Sequence, residues 1–288
     1  MVNIVEVTPI AKIPPSFEIL SYFSTKKITS GDLVSINFRG KDTPAIVIRT
    51  RELGSEKAEI KKRTYKLKPI ISIIKEGLLD DNSFAILDRL SRDLFTRKSV
   101  LLSCLIPKTL LSKGVILPKK IQTSGAHRKF ALKGTLDDRI QNLRTLIREH
   151  FARGKSITVI SPRIDALKKM ELELARGIEN YVFLFSSEIS SKKYLSLFNK
   201  AMAENHPVLI LGTYQSLFFG RGDVETIVIE EEGSRYWRDR DGIPFDLHRA
   251  AEIIAEERGQ ALIFSDQILR IETIYRVENS LIETNISQ

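Results

Sequence analysis

A single cysteine, Cys104, in a chain of 288 residues has nothing to pair with internally. That excludes an internal disulfide framework and any cysteine-based zinc cluster. No apolar run approaches the ~20 residues that a membrane-spanning helix needs, so no bilayer crossing is expected. The opening stretch MVNIVEVTPIAK lacks a basic segment followed by an apolar one, so no secretory signal is expected and the expected location is cytoplasmic. The four histidines, His127, His150, His206 and His248, are scattered without metal-ligand spacing, and no metal site is expected. Internal repeats and low-complexity tracts are also missing. What is present is an ordinary globular balance, 42% hydrophobic and 28% charged, in a length suited to one large or two ordinary domains.

The net charge of +9 is unevenly placed. Residues 1–120 carry 22 Lys and Arg against 12 Asp and Glu, whereas residues 121–288 carry 23 against 24. The excess therefore belongs to the first part of the chain. Such asymmetry suggests a basic module that meets a polyanion, joined to a neutral one that does not, although lysine-rich surfaces also serve solubility.

The first 75 or so residues read as β structure, with strands at Asn3–Val7, Phe17–Tyr22, Leu33–Phe38, Ala45–Thr50 and Ile70–Ile74. Val34, Ile36 and Phe38 alternate onto one face. Turn residues lie between the runs at Pro14-Pro15, Ser30-Gly31-Asp32 and Arg39-Gly40-Lys41-Asp42. Short strands so spaced suggest a small barrel or curled sheet. A helix is expected over 83–98, with Phe84, Leu87, Leu90 and Leu94 as its apolar stripe, and a linker over 108–129. From Phe130 onward, helices alternate with short Val/Ile/Leu runs at Ser156–Ile160, Tyr181–Phe185, Val208–Leu211, Thr226–Ile229 and Ala261–Phe264. That pattern indicates a parallel sheet covered on both faces.

Several groups are candidates for chemistry. Gly154-Lys155-Ser156 is not a phosphate loop, because a helix precedes it, a strand follows it and Glu149 stands at the first-glycine position. Glu230-Glu231-Glu232 ends an apolar strand, where carboxylates can hold Mg²⁺ or orient a water; a solvated charge run is the alternative. Gly212-Thr213-Tyr214-Gln215-Ser216 follows another strand and can present backbone N–H groups to a phosphate, or merely connect. Trp237, among Arg235, Arg238 and Arg240, suits base stacking, an interface anchor or a core anchor, and Cys104 suits a small buried hydrophobe.

Two series of segments resemble the primosomal protein N′ family (PriA), bacterial replication-restart helicases. IPPSFEILSY, GDLVSINFRG, AIVIRT and KLKPIISII resemble that family's module for the 3′ end of a DNA strand. The resemblance implies a pocket around the terminal nucleotide made by Phe17, Glu18 and Lys68, with Glu18 where Asp is usual. Arg39 falls at the family's glycine, and Gly40 comes one residue later. ITVISPRIDALKK, VLILGTYQSLFF and TIVIEEEGSRYW resemble segments of the first motor lobe, which implies DNA-backbone contacts at Gly212, Thr213, Gln215 and Ser216.

The nucleotide motifs of that family are degraded. Its TGSGKT loop falls on Thr135-Leu136-Asp137-Asp138-Arg139-Ile140, without glycines, with Arg139 for the catalytic Lys. Two carboxylates, Asp137 and Asp138, stand where a triphosphate would lie. Glu230 replaces the Mg-side Asp of the DEEH box, Glu231 follows it, and Gly233 replaces the His. Thr135, Asp137, Asp138, Arg139, Glu230 and Glu231 thus mark a vestigial nucleotide site. No segment of these 288 residues resembles the family's zinc-binding insertion or second lobe.

The expectation is an α/β chain in three parts. Residues 1–107 form a barrel-like DNA-binding module with a helical tail, 108–129 a linker, and 130–288 one RecA-like lobe of the P-loop NTPase type. The resemblance implies recognition of DNA 3′ ends at forks during replication restart, with other restart proteins as partners. Helicase and ATPase activity, ATP, Mg²⁺ and zinc are not expected. A residual ATP-binding helicase subunit and a protein- or RNA-binding adaptor stand as the alternatives.

Overall fold

The computed structural model describes every residue except Met1, Lys12, Pro15, Ser16, 53–66, 118–126, Phe219, 238–242 and 285–288. The chain divides into two compact units, residues 1–115 and 116–288. Part of the expected linker, 118–126, lies outside the described residues, as do Arg238 and Arg240.

The first unit is a six-stranded sheet in the order β5-β2-β1-β4-β3-β6, built from β1 (Asn3–Pro9), β2 (Leu20–Ser24), β3 (Leu33–Phe38), β4 (Lys41–Glu52), β5 (Lys68–Pro69) and β6 (Ser72–Lys75). Its two outer strands are consecutive in the chain. The Ile70 N–H donates to Phe23 O and the next N–H, of Ile71, donates to Ser35 O, both at 2.9 Å. The segment therefore bridges both free edges and closes the sheet into a barrel, which removes the exposed edges. Val5, Val7, Tyr22, Val34, Ile36, Ala45 and Val47 fill the interior, as the period-2 pattern requires.

Gly31 is required where it stands, with φ +87° and space for a Cβ ending 1.9 Å from the Leu79 carbonyl oxygen. The helix expected over 83–98 is two helices, α1 (Asp81–Asp93) and α2 (Lys98–Leu105), the latter packed against β1. The apolar period does continue through Leu94, but Phe95 takes a left-handed φ of +49° and ends the first helix.

The second unit is an all-parallel sheet in the order β7-β12-β11-β8-β10-β9. Its strands are β7 (Lys129–Lys133), β8 (Ser156–Ile160), β9 (Val182–Phe185), β10 (Leu209–Gly212), β11 (Val224–Glu230) and β12 (Ala261–Asp266). Between and after them run α3 (Leu136–Ala152), α4 (Ile164–Leu174), α5 (Ser191–Ala203), α6 (Leu247–Glu257) and α7 (Ile271–Glu278). This is the all-parallel α/β lobe that the sequence predicts. The apolar faces of α3 and α4, through Leu143, Ile147, Leu167 and Met170, share a core with Ile157, Val159, Leu211 and Val228.

Strand β7 is not announced by the sequence pattern, because only three apolar residues, Phe130–Leu132, stand between lysines at either end. Among the described residues no helix is long and apolar enough to cross a membrane.

Candidate functional sites

One end of the barrel collects residues from four separate segments. The sequence pattern predicts a strand from Phe17 to Tyr22, but the strand begins at Leu20. Phe17 sits before it in a turn closed by its own N–H donating to Pro14 O at 3.0 Å. The β3–β4 hairpin turns on Arg39-Gly40 with φ +51° and +80°, Phe38 pairing with Lys41. A two-residue turn of this hand needs positive φ at both positions.

This turn swings Arg39 back over the barrel end. Its guanidinium carbon lies 4.9 Å from the Phe17 ring centroid and 5.5 Å from that of Phe38. The two rings meet edge to face at 5.7 Å. Lys68 opens β5 and donates from Nζ to Asn37 Oδ1 at 3.2 Å, while the Tyr22 hydroxyl donates to Asn37 O at 2.9 Å. Burial pushes the Tyr22 phenol up, which keeps it a donor. Phe17 is half-buried; Arg39, Gly40 and Lys68 are exposed.

Glu18 goes elsewhere. Its Oε1 accepts from the Lys98 N–H at 2.8 Å, the first N–H of α2, whose N-cap Arg97 supplies no side-chain cap. The carboxylate thus stabilises a helix N-terminus 80 residues away in the chain. No local spacing announces that pairing.

The second cluster lies at the carboxyl ends of the parallel strands, where such sheets place ligands. Thr135 is the N-cap of α3 and closes a capping box with Asp138. Its Oγ1 accepts from the Asp138 N–H at 3.3 Å, and Asp138 Oδ2 accepts from the Thr135 N–H at 3.1 Å. The Thr135 hydroxyl and backbone N–H hold the Asp138 carboxyl below the usual range. Asp137 adds a second negative charge in the first helical turn.

Next along the helix, Arg139 is 5% exposed and faces Glu230, which is 1% exposed. Nε and NH2 both reach Glu230 Oε1 at 2.7 Å, and NH1 donates to Gly134 O at 2.8 Å. Burial pushes the Glu230 carboxyl up, and the Arg139 charge pulls against it. Glu231 takes φ +55° and accepts from Arg163 Nε at 3.0–3.1 Å and from Ser161 Oγ at 3.1 Å. Glu232 is buried, accepting from the Arg270 N–H at 2.7 Å and from Thr273 Oγ1 at 2.6 Å.

The Glu230–Glu232 run is therefore not a solvated charge run. Each carboxylate has a partner from another segment, and Arg163, Arg270 and Thr273 are partners that sequence reasoning missed. Trp237 is 3% exposed and donates to Glu231 O at 3.0 Å, so it anchors this loop and has no face open to a base. In the other loop, the Ser216 hydroxyl folds back over Gly212, 2.1 Å from where a Cβ would stand, and Thr213, Gln215 and Ser216 are half-buried.

Gly233 is held by its N–H donating to Asp266 Oδ2 at 2.7 Å, and a Cβ there would lie 2.4 Å from Ile268 O. Restoring a side chain with Gly233→His is expected to cost about 1–3 kcal/mol through overpacking against backbone. Chemical denaturation checks this, and an unchanged midpoint would show that the 266–268 segment yields freely. Among the described residues no group of His, Cys, Asp and Glu could hold a metal ion.

No family model matches the chain. It is 22% identical over 300 residues to the replication restart protein PriA of Rickettsia conorii (strain ATCC VR-613 / Malish 7). The match takes in 94% of this chain and 43% of that protein. The similarity is to part of a replication-restart protein. Among solved structures, the UvsW helicase of bacteriophage T4 superposes with a TM-score of 0.36 and 14% identity, over 55% of this chain and 53% of that one. Xpd4 of S. tokodaii superposes at 0.30 and 15% identity, over 90% and 53%. Superpositions this loose say nothing about activity.

Proposed function

We propose that this protein binds DNA and holds the 3′ end of a strand at the barrel end formed by Phe17, Asn37, Arg39 and Lys68. The observation that carries the reading is their convergence: an aromatic ring, a stacked guanidinium and a lysine from separate segments share one rim. A terminal base stacks on the Phe17–Arg39 surface, and Lys68 meets phosphate, the usual division between base and backbone contacts. The similarity to a replication restart protein points to forks as the substrate class. In this reading the parallel lobe is a scaffold or partner-docking element without helicase or ATPase activity. A triphosphate does not fit the residues present: the loop glycines are replaced, two carboxylates occupy the first turn of α3, and Arg139 is spent on Glu230. No reaction step is assigned to nucleotide or Mg²⁺.

The test is a binding comparison on one fork carrying a leading strand with a free 3′-OH, a 3′-phosphate, or no leading strand. The free 3′-OH fork is expected to bind tightest. Equal affinity for all three would end the 3′-end reading and favour a general nucleic-acid or protein adaptor. Lys68→Ala is expected to weaken binding to every substrate and to reduce the salt slope by about 0.7–0.9, the value of one phosphate contact. An unchanged slope would remove Lys68 from the interface.

A further inference from the structure

We infer that Phe95 is a second base-stacking platform, engaging single-stranded DNA beside the barrel end; this rests on the DNA-binding reading proposed for the barrel. Two independent oddities meet at this residue. Its side chain is 97% exposed, and its φ is +49°. The position is the left-handed residue of a helix C-terminal motif, with the Phe95 N–H donating to Arg92 O at 3.4 Å and the Thr96 N–H to Ser91 O at 3.1 Å. Glycine is the residue that costs least there, both in backbone strain and in exposed apolar area. A phenylalanine at this point serves neither packing nor the turn.

The loop that carries the ring is nonetheless held firmly. Thr96 is buried, its hydroxyl donates to Leu94 O at 2.9 Å, and the Arg97 guanidinium donates to the Ile13 carbonyl. With the backbone held, binding has only the ring's own side-chain freedom to order. The chain on either side of it carries four cations, Arg89, Arg92, Arg97 and Lys98, against two carboxylates, Asp88 and Asp93, which pair with Arg89, Arg92 and Lys98. An isolated ring beside a small surplus of positive charge suits a nucleobase with its phosphate, whereas a protein interface needs a contiguous apolar area.

The Glu18–Lys98 hydrogen bond ties this loop to the residue after Phe17. Lys98 is in turn only a short stretch of chain beyond Phe95, so the Cα atoms of the two phenylalanines lie within about 25 Å of each other. One strand of several nucleotides spans that distance.

The decisive variant is Phe95→Gly, compared with Phe95→Trp and the unaltered protein on a twelve-nucleotide oligothymidylate, ending either in a free 3′-OH or in a 3′-phosphate. Phe95→Gly is expected to weaken binding to both by about 5- to 150-fold, the range for one stacked base. Its melting temperature should stay level or rise, because glycine relieves the backbone. Phe95→Trp should keep the affinity. Weakening on both oligonucleotides without any end preference in the unaltered protein would end the 3′-end reading and leave this one standing. Affinity within twofold on both, a failure of the unaltered protein to bind either, or a lowered melting temperature in Phe95→Gly would overturn it.

Discussion

Replacing Arg139 by alanine is expected to destabilise the protein by about 3–5 kcal/mol, the cost of leaving a buried charge without its partner. Glu230 would be that charge, 1% exposed at the end of β11 with both short contacts removed. The pair Arg139→Met with Glu230→Leu is expected to recover most of the loss, since neither desolvated charge then remains. Urea denaturation of the single and double variants separates the two outcomes. A single variant within about 1 kcal/mol of the parent would show that water reaches the pair and that the site is open. The same melts carried out with Mg·ATP are expected to superimpose on those without it. A ligand that binds only the folded state raises its stability by mass action, so any ATP-dependent rise would restore nucleotide binding as a function.

Phe17→Ala is expected to weaken binding to DNA with a free 3′ end by roughly 1–3 kcal/mol, the worth of one base stacked on an aromatic side chain. Binding to the same strand blocked at its 3′ end should change little, and so should the melting temperature. The ring is half-buried, meets Phe38 only edge-on and is covered by an exposed arginine, so its removal opens a rim and not a cavity. Equal losses on free and blocked ends, or an unfolded variant, would assign Phe17 to the barrel core. Arg39→Ala provides a second check on the same surface. It removes the guanidinium over the ring but leaves Gly40 and the other turn residues in place, and should reproduce part of the loss.

Sequence alone determined the class of each sheet and most of its strands, because strand and sheet signals are local. Alternation in Val34, Ile36 and Phe38 dictates a half-buried strand, and runs such as Ser156–Ile160, all buried in the sheet, dictate a parallel one. The absence of glycines between Thr135 and Ile140 is likewise visible in the chain itself. The joining of β5 and β6 across both barrel edges was not, since each has too few residues to show a period. Partnerships were decided only by the tertiary structure. Arg139 and Glu230 are 91 residues apart, Glu18 and Lys98 are 80 apart, and Arg163 and Glu231 are 68 apart. No spacing rule links such residues; the sheet order and the barrel closure bring them together. The same holds for Phe95, which falls within the single helix that the sequence predicts over 83–98. Its exposure follows from a backbone reversal that the apolar period cannot encode, because a left-handed residue costs only a local strain that surrounding contacts override.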